Sequence, residues 1–211
     1  DLDASEAIEI ADRFLPQTAA IFGRESKPKS HWLYVADGLN TEQFQDPVLK
    51  SEEAQAKRKT ATIVEIRYTG AQTVFPPSTH MSGELVEWEL EGEPARIDSG
   101  NLRTAVCRLA SASLLSRYWK SGVRQDAAMA LSGSLLRAGW GIDEVKEFVE
   151  SVSIAANDDE VASRISVVQR TADSLADNKP VTGIPKLKEL MPKDVVERVY
   201  DWLNLGSGAP E

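Results

Sequence analysis

The hydrophobic pattern of this chain changes its period once, and that change constrains the fold more than any other feature. Before residue 98, segments 61–68 and 84–90 alternate apolar and polar residues, as half-buried strands do. In segment 84–90, for example, Val86, Trp88 and Leu90 share one face. Beyond residue 98 the apolar residues recur every three or four positions, as they do in amphipathic helices. Strands followed by helices predict an α+β protein.

The same change predicts the domain limits, because Gly92, Pro94 and Gly100, which interrupt regular secondary structure, lie where the period changes. The 211 residues are enough for two small domains. We expect a strand-containing core over residues 1–98, a compact helical bundle over 99–205 and a flexible tail over 206–211. The apolar stripes of the expected bundle contain Leu102, Val106 and Leu109; Ala127, Ala128, Leu131 and Leu135; Val145, Phe148, Val149 and Val152; Val161, Ile165, Val168 and Leu175; and Val195, Val199 and Leu203.

Composition excludes several classes of protein. The chain has no run of about 18 apolar residues and no signal-peptide pattern, so we expect no membrane partner. Its single cysteine, Cys107, excludes an internal disulfide and a cysteine-rich zinc site. These features favour a cytoplasmic protein. Because the chain begins at Asp1 rather than at a methionine, we interpret it as a fragment or a processed chain.

Segment 61–68 is predicted to be a strand that carries chemistry. It is rich in β-branched residues, and a period of two places Ile63, Glu65 and Arg67 on one face. A carboxylate and a guanidinium then point the same way. The alternative is an edge strand whose charged face is simply solvated.

Asp1-Leu2-Asp3 is predicted to be the end of another strand, with both carboxylates on one face. Paired carboxylate oxygens suit Mg²⁺ or Mn²⁺. The alternative is that Asp3 or Ser5 caps the following helix, which we expect over residues 5–15.

Residues 23–35 are interpreted as a basic loop that opens into a short strand, with Ser30 and His31 at the junction. A histidine there can donate a hydrogen bond to a phosphate oxygen while flanking cations neutralise the charge; alternatively, His31 is structural. Residues 37–59 are polar and contain the basic cluster Lys57-Arg58-Lys59. We interpret this segment as a helix or a mobile excursion without chemistry.

Two consecutive prolines, Pro76 and Pro77, are predicted to fix a turn, because each restricts its own φ and extends the residue before it. Such a turn would present Ser78 and His80 to a neighbouring site. Taken alone, it would be an ordinary loop.

The order of these motifs resembles that of the archaeo-eukaryotic primase superfamily, most closely the bifunctional primase-polymerases (prim-pol) of plasmids, phages and mobile elements. The series is Asp-x-Asp, Ser-His before a strand, a strand bearing an acid, and Pro-Pro-Ser-x-His. The resemblance implies a primase-polymerase (RRM-like) mixed sheet, here N-terminally truncated. The family commonly has an aspartate where this chain has Glu65, and a small hydroxyl residue where it has Lys29.

The resemblance also implies roles for residues. Asp1, Asp3 and Glu65 would bind divalent metal and act in catalysis, and Ser30, His31, Ser78 and His80 would bind the phosphates of the incoming nucleotide. Arg67, on the face of Glu65, would reach a triphosphate or a template phosphate.

The helical half is similar to the domain that follows the catalytic core in many prim-pol proteins and links it to a helicase. Positions 103–137 hold six cations and one acid, although the chain as a whole carries a net charge of −9. We expect Arg117, Lys120 and Arg124 to contact DNA. Two alternatives stay open: Arg124 and Trp119 cap and pack the bundle, or the cations neutralise the acidic run at 84–98.

Two functions therefore compete. The first is a template-directed nucleotidyltransferase, a DNA primase/polymerase that uses Mg²⁺ or Mn²⁺ and nucleoside triphosphates on a DNA template or primer, in concert with a helicase domain or protein. The second is a catalytically silent nucleotide- or nucleic-acid-binding module of a replication helicase protein. The chain itself contains no P-loop.

Overall fold

The computed structural model describes residues 1–49 and 61–206, and it confirms a mixed α+β protein. Within these residues there are seven strands and seven helices. The chain divides into two compact units, Asp1–Ala110 and Ser111–Glu211. All seven strands lie in the first unit. The expected limit at residue 98 falls just before a helix that starts in the first unit and ends in the second.

Three antiparallel strands form one sheet of the first unit, in the order β2-β1-β6. They are β1 (Ile21–Arg24), β2 (Lys27–Trp32) and β6 (Glu87–Leu90). The predicted basic loop at 23–30 is therefore wrong, because β1 and β2 form a tight hairpin. Gly23 makes the hairpin possible, since a Cβ there would lie 2.5 Å from the carbonyl oxygen of Lys27.

The remaining strands form two pairs. β4 (Glu42–Gln45) and β5 (Thr62–Ile66) are antiparallel, whereas β3 (Tyr34–Val35) and β7 (Ala95–Arg96) are parallel. The helix or excursion expected over 37–59 is thus corrected at 42–45, where a strand pairs with the acid-bearing strand. Lys57, Arg58 and Lys59 lie outside the described residues.

The first four residues connect β2 to β5. The main-chain nitrogen of Leu2 donates to the carbonyl oxygen of Ser30 in β2. On the other side, Asp1 and Glu65 exchange two main-chain hydrogen bonds, and Leu2 forms a β-bridge with Val64. Leu2 is 2% exposed. Residues 1–4 therefore link the β2-β1-β6 sheet, at its edge strand β2, to the β4-β5 pair.

α1 (Ser5–Phe14) follows this segment and buries Ala7, Ile10 and Ala11. Its N-cap is Ala4, with no capping hydrogen bond from a side chain. The capping alternative for Asp3 and Ser5 is therefore wrong.

The described residues of the second unit form helices. The unit begins with the end of α2 (Ser99–Arg117) and continues with α3 (Arg124–Arg137), α4 (Ile142–Ala155), α5 (Val161–Ala176), α6 (Ile184–Leu190) and α7 (Lys193–Trp202). α3 packs against α4, α5 and α6, and α7 packs against α6. The predicted stripe of α5 is displaced, since its buried residues are Arg164, Val167, Val168 and Thr171. Of the predicted tail, residues 207–211 lie outside the described residues.

Among the helices of the described residues, none combines the length and the apolar composition that crossing a bilayer requires.

Candidate functional site

Three acids from distant parts of the chain meet at the centre of this hydrogen-bonded array. The main-chain pairing of Asp1 with Glu65 sets their side chains beside each other, and Asp3, two residues on, shares the face of Asp1. One carboxylate oxygen from each of the three acids lies within 4.8 Å of the others. The structure thus brings together the three residues that sequence reasoning selected. We call them the acid cluster.

Arg67 bridges two members of the acid cluster. Its Nη2 lies 2.7 Å from Oδ2 of Asp1, and its Nε donates to Oε2 of Glu65 at 2.8 Å. Its Nη1 donates to the carbonyl oxygen of Gln72 at 3.1 Å. One guanidinium therefore serves as counter-ion for two carboxylates while it is anchored to the neighbouring loop.

The contacts of Glu65 lower its pKa. Burial by itself would raise the pKa, but hydrogen bonds from Arg67 and Gln43 to the carboxylate outweigh it and hold the pKa below its ordinary value. Sequence reasoning missed Gln43, because it lies in a polar segment that showed no strand pattern.

Lys27 holds the third acid. Its Nζ donates to the main-chain oxygen of Asp3 at 2.8 Å and lies 3.6 Å from Oδ1 of the same residue. The Asp3 side chain remains 29% exposed, whereas that of Asp1 is 8% exposed. Asp3 is therefore the most accessible carboxylate of the cluster.

His31 lies beside the acid cluster on β2. Its Nδ1 is 3.4 Å from Oδ1 of Asp1, and its ring stacks on Phe22 with the centroids 4.5 Å apart. Burial, together with positive charges that include Arg67, lowers its pKa from 6.5 to about 3. His31 is consequently a neutral imidazole near neutral pH. It can donate one N–H, but it carries no positive charge.

An irregularity in β2 precedes His31. The register of β1 and β2 shifts between Phe22 and Arg24, and Lys29 adopts a φ of 51°. The indole nitrogen of Trp32 donates to the carbonyl oxygen of Lys29 at 2.9 Å and closes this distortion. Bulged strands redirect their side chains and often occur beside functional sites. No turn or glycine signal in the sequence marks Lys29 for this conformation.

Two members of the acid cluster, Asp1 and Asp3, line a charged cavity of about 660 Å³. This volume falls within the range of small-molecule sites. The wall carries both signs of charge, with Asp1 and Asp3 opposite cations of β1, β2 and the segment after β5. The lining side chains used below are Arg24, Lys27, Ser30, His31, Arg67 and His80.

The Pro-Pro turn places its two candidate residues differently. His80 lines the charged cavity, and its Nδ1 lies 2.8 Å from the hydroxyl of Ser82. Ser78 is exposed and absent from the cavity wall, while its main chain pairs with Phe75 and Val86. The predicted presentation of Ser78 is therefore corrected: its role in the described residues is to build the turn.

The three candidate DNA-binding residues of the second unit differ in exposure and in pairing. Arg124 donates to the carbonyl oxygen of Trp119, and its Nη1 lies 3.3 Å from Oδ1 of Asp158. Its side chain is 17% exposed, so the packing alternative describes Arg124 better than a DNA contact. Lys120 is exposed and Arg117 is half-buried.

No match to this chain was found among the models of known protein families, the curated proteins or the solved structures with which it was compared. The candidate site therefore stands on its own geometry.

Proposed function

We propose that the first unit is the catalytic core of a DNA primase/polymerase, which transfers nucleotides from nucleoside triphosphates to a primer on a DNA template during plasmid, phage or mobile-element replication. One observation carries the proposal: Asp1 and Asp3 line one cavity with His31 and the cations Arg24, Lys27 and Arg67, and Glu65, 64 positions from Asp1, completes the acid cluster within 4.8 Å. Metal-dependent phosphoryl transfer needs these groups together.

The acid cluster fits a divalent cation by its chemistry. Carboxylate oxygens are the hard ligands that Mg²⁺ and Mn²⁺ take, and three acids outnumber the one guanidinium between them. Asp1, Asp3 and Glu65 would hold the metal. When bound, it would activate the attacking hydroxyl and stabilise the leaving pyrophosphate.

The chain's own groups account for binding the triphosphate. Lys27 and Arg67 would neutralise phosphate charge across the cavity, and a guanidinium can engage two phosphate oxygens at once; Arg24, also in the wall, is already paired with Glu84 at 3.2 Å. The ring of His31 lines the same cavity as a neutral imidazole, with its Nδ1 facing Asp1, and adds no positive charge. Ser30 and His80 supply further polar contacts to the phosphates.

The second unit would hold the template and join the core to a helicase. Exposed Lys120, with Arg117 nearby in the chain, is the proposed contact to phosphates of single-stranded DNA. Arg124 is left out of this surface because it is paired with Asp158.

The test is the substitution Glu65→Gln in the full-length polypeptide, which removes one charge at nearly constant shape. Metal-dependent primer extension should fall by at least about a hundredfold, because even residues that only support metal ligands contribute 10–100-fold. Glu87→Gln is the matched control, since Glu87 is an exposed strand residue of the same unit. Full extension by Glu65→Gln would remove Glu65 from the metal site.

The second candidate is a binding module without turnover. The position of Arg67 favours it, because the guanidinium already neutralises Asp1 and Glu65. This candidate predicts that the full-length protein binds nucleoside triphosphates but extends no primer with either Mg²⁺ or Mn²⁺. Extension that is abolished by Glu65→Gln would exclude it.

A further inference from the structure

A second cavity adjoins the charged one and differs from it in character. Its volume is about 320 Å³, and its lining is mainly apolar and aromatic. The apolar cavity is formed by β2, β3, β5, the segment after β5 and the first turns of α2, with Trp32, Leu33, Tyr34, Leu39, Leu102 and Val106 among its walls. All of these residues belong to the first unit.

The two cavities share part of their walls. Asp1, His31, Arg67, Ala71 and Thr73 line both. A ligand that fills the apolar cavity therefore continues directly to the acid cluster and the cations. Such a ligand must combine an apolar body with a strongly charged end.

Two aromatic rings of the apolar cavity are held in place by hydrogen bonds to the main chain. The indole nitrogen of Trp32 donates to Lys29, as described above, and the hydroxyl of Tyr34 donates to the carbonyl oxygen of Pro16 at 2.7 Å. These bonds need no ligand. The flat surfaces are preorganised, which reduces the entropy lost when a planar group packs against them.

We propose that the apolar cavity binds the nucleoside part of the nucleotide whose phosphates occupy the charged cavity. This inference rests on the proposed function. Apart from the shared wall and Glu65, which belongs to the acid cluster, the lining offers mostly apolar surface. We therefore expect the cavity to recognise a planar shape rather than the donor and acceptor pattern of one base. A template-directed enzyme needs this tolerance, because the template and not the protein must select the base.

The experiment narrows the apolar cavity without touching the charged one. Ala36 and Leu39 line only the apolar cavity, and both lie outside helices and strands. The variants Ala36→Trp and Leu39→Trp place an indole in it, and Ala36→Ser is the size-matched control. Calorimetry without DNA measures the affinity for ATP and for inorganic triphosphate in the presence of Mn²⁺, with thermal unfolding as a check of folding.

The ratio of ATP affinity to triphosphate affinity decides the question. Each tryptophan variant should lower this ratio by about tenfold or more, which is the scale of losing one packed aromatic group. The control should leave it within about twofold, and the wild type should bind ATP, GTP, CTP and TTP with affinities within about threefold of one another. An unchanged ratio in both folded tryptophan variants would overturn the inference.

Failure of the proposed function gives a different result. If inorganic triphosphate does not bind the wild type even with Mn²⁺, the charged cavity is not a phosphate site, and the proposed function and this inference fall together. If triphosphate binds and the ratio does not respond, only the nucleoside assignment is lost.

Discussion

Two clusters of carboxylates and arginines, one in each unit, differ in how completely their carboxylates are paired. In the second unit, Asp158 is 0% exposed at its side chain and accepts hydrogen bonds from Trp119, Arg124, Arg164 and the main-chain nitrogen of Glu160. One acid is surrounded by donors. In the first unit, three acids share Arg67 and Lys27 beside an open cavity.

The difference lies in what each cluster leaves unsatisfied. Both oxygens of Asp158 are used, so nothing there is left to bind a ligand. The acid cluster has more carboxylates than cations, and its arginine is 32% exposed. A saturated buried cluster is costly to break from one side, whereas an acid-rich cluster at a cavity can exchange its counter-ion for a cation.

The largest effect that this comparison predicts concerns the buried cluster. Asp158→Asn removes the buried charge that faces the guanidinium of Arg164, which is 6% exposed at its side chain and whose other carboxylate partner, Glu160, is 63% exposed. Breaking a buried pair from one side should lower the free energy of unfolding by about 3–5 kcal/mol. Urea unfolding measures the change. Asp159→Asn is the control, because the Asp159 side chain is 90% exposed and should matter by less than about 0.5 kcal/mol.

The second prediction concerns the acid cluster, where removal of the charged partner should strengthen the binding of a divalent cation. Arg67→Gln removes the counter-ion that a divalent cation would have to displace, so the affinity for Mn²⁺ should rise, by about tenfold if one exposed ion pair is relieved. Electron paramagnetic resonance of free Mn²⁺ measures it. Arg103→Gln, which breaks the exposed pair with Glu42, should leave Mn²⁺ binding unchanged. Weaker Mn²⁺ binding in Arg67→Gln would show that Arg67 organises the acids rather than competing for them.

The sequence predicts the acid cluster well because a period of two is a local rule. Glu65 and Arg67 share a face of β5 and its extension, and Asp1 and Asp3 share a face of the first segment. What local rules cannot supply is the pairing of these segments. Main-chain bonds between residues 64 apart bring them together, and the order of motifs in a family was the only sequence signal for it.

The errors have physical causes of the same kind. The hairpin of β1 and β2 was interpreted as a loop because Lys27, Pro28 and Lys29 are poor strand residues; the strand is an edge strand, where proline is tolerated. The apolar stripe of α5 was misplaced because a charged residue, Arg164, is buried there by its bonds to Asp158. Hydrophobic period alone places such a residue on the surface.

The third predicted effect is smaller and comes from His31 rather than from either carboxylate cluster: it is a pH dependence of the unfolding free energy. Its pKa in the folded protein, about 3, lies below the ordinary 6.5, so between these values the unfolded chain binds more protons than the folded one. His31 therefore makes stability fall as the pH is lowered through 6.5. Between pH 6.5 and 5 the slope should be up to about 1.4 kcal/mol per pH unit.

His31→Gln should flatten the pH dependence of the unfolding free energy in that window. His80→Gln is the matched control for the second histidine of the chain. An equal slope in wild type and His31→Gln would mean that the ring is protonated in the folded state, and the neutral donor role would then have to be abandoned.

The smallest effect tests the second unit as a DNA-binding surface. Lys120 is exposed, whereas Arg124, four residues later, donates to Trp119 and pairs with Asp158. Each phosphate contact to single-stranded DNA contributes about 0.7 to the slope of log affinity against log salt. Lys120→Gln should reduce the slope by about that amount and leave the melting temperature unchanged. Arg124→Gln should lower the melting temperature and leave the slope unchanged, because its guanidinium is held by the protein. If Arg124→Gln instead reduced the salt slope and Lys120→Gln lowered the melting temperature, Arg124 would have to leave Asp158 to contact DNA. The cluster around Asp158 would then be exchangeable rather than saturated.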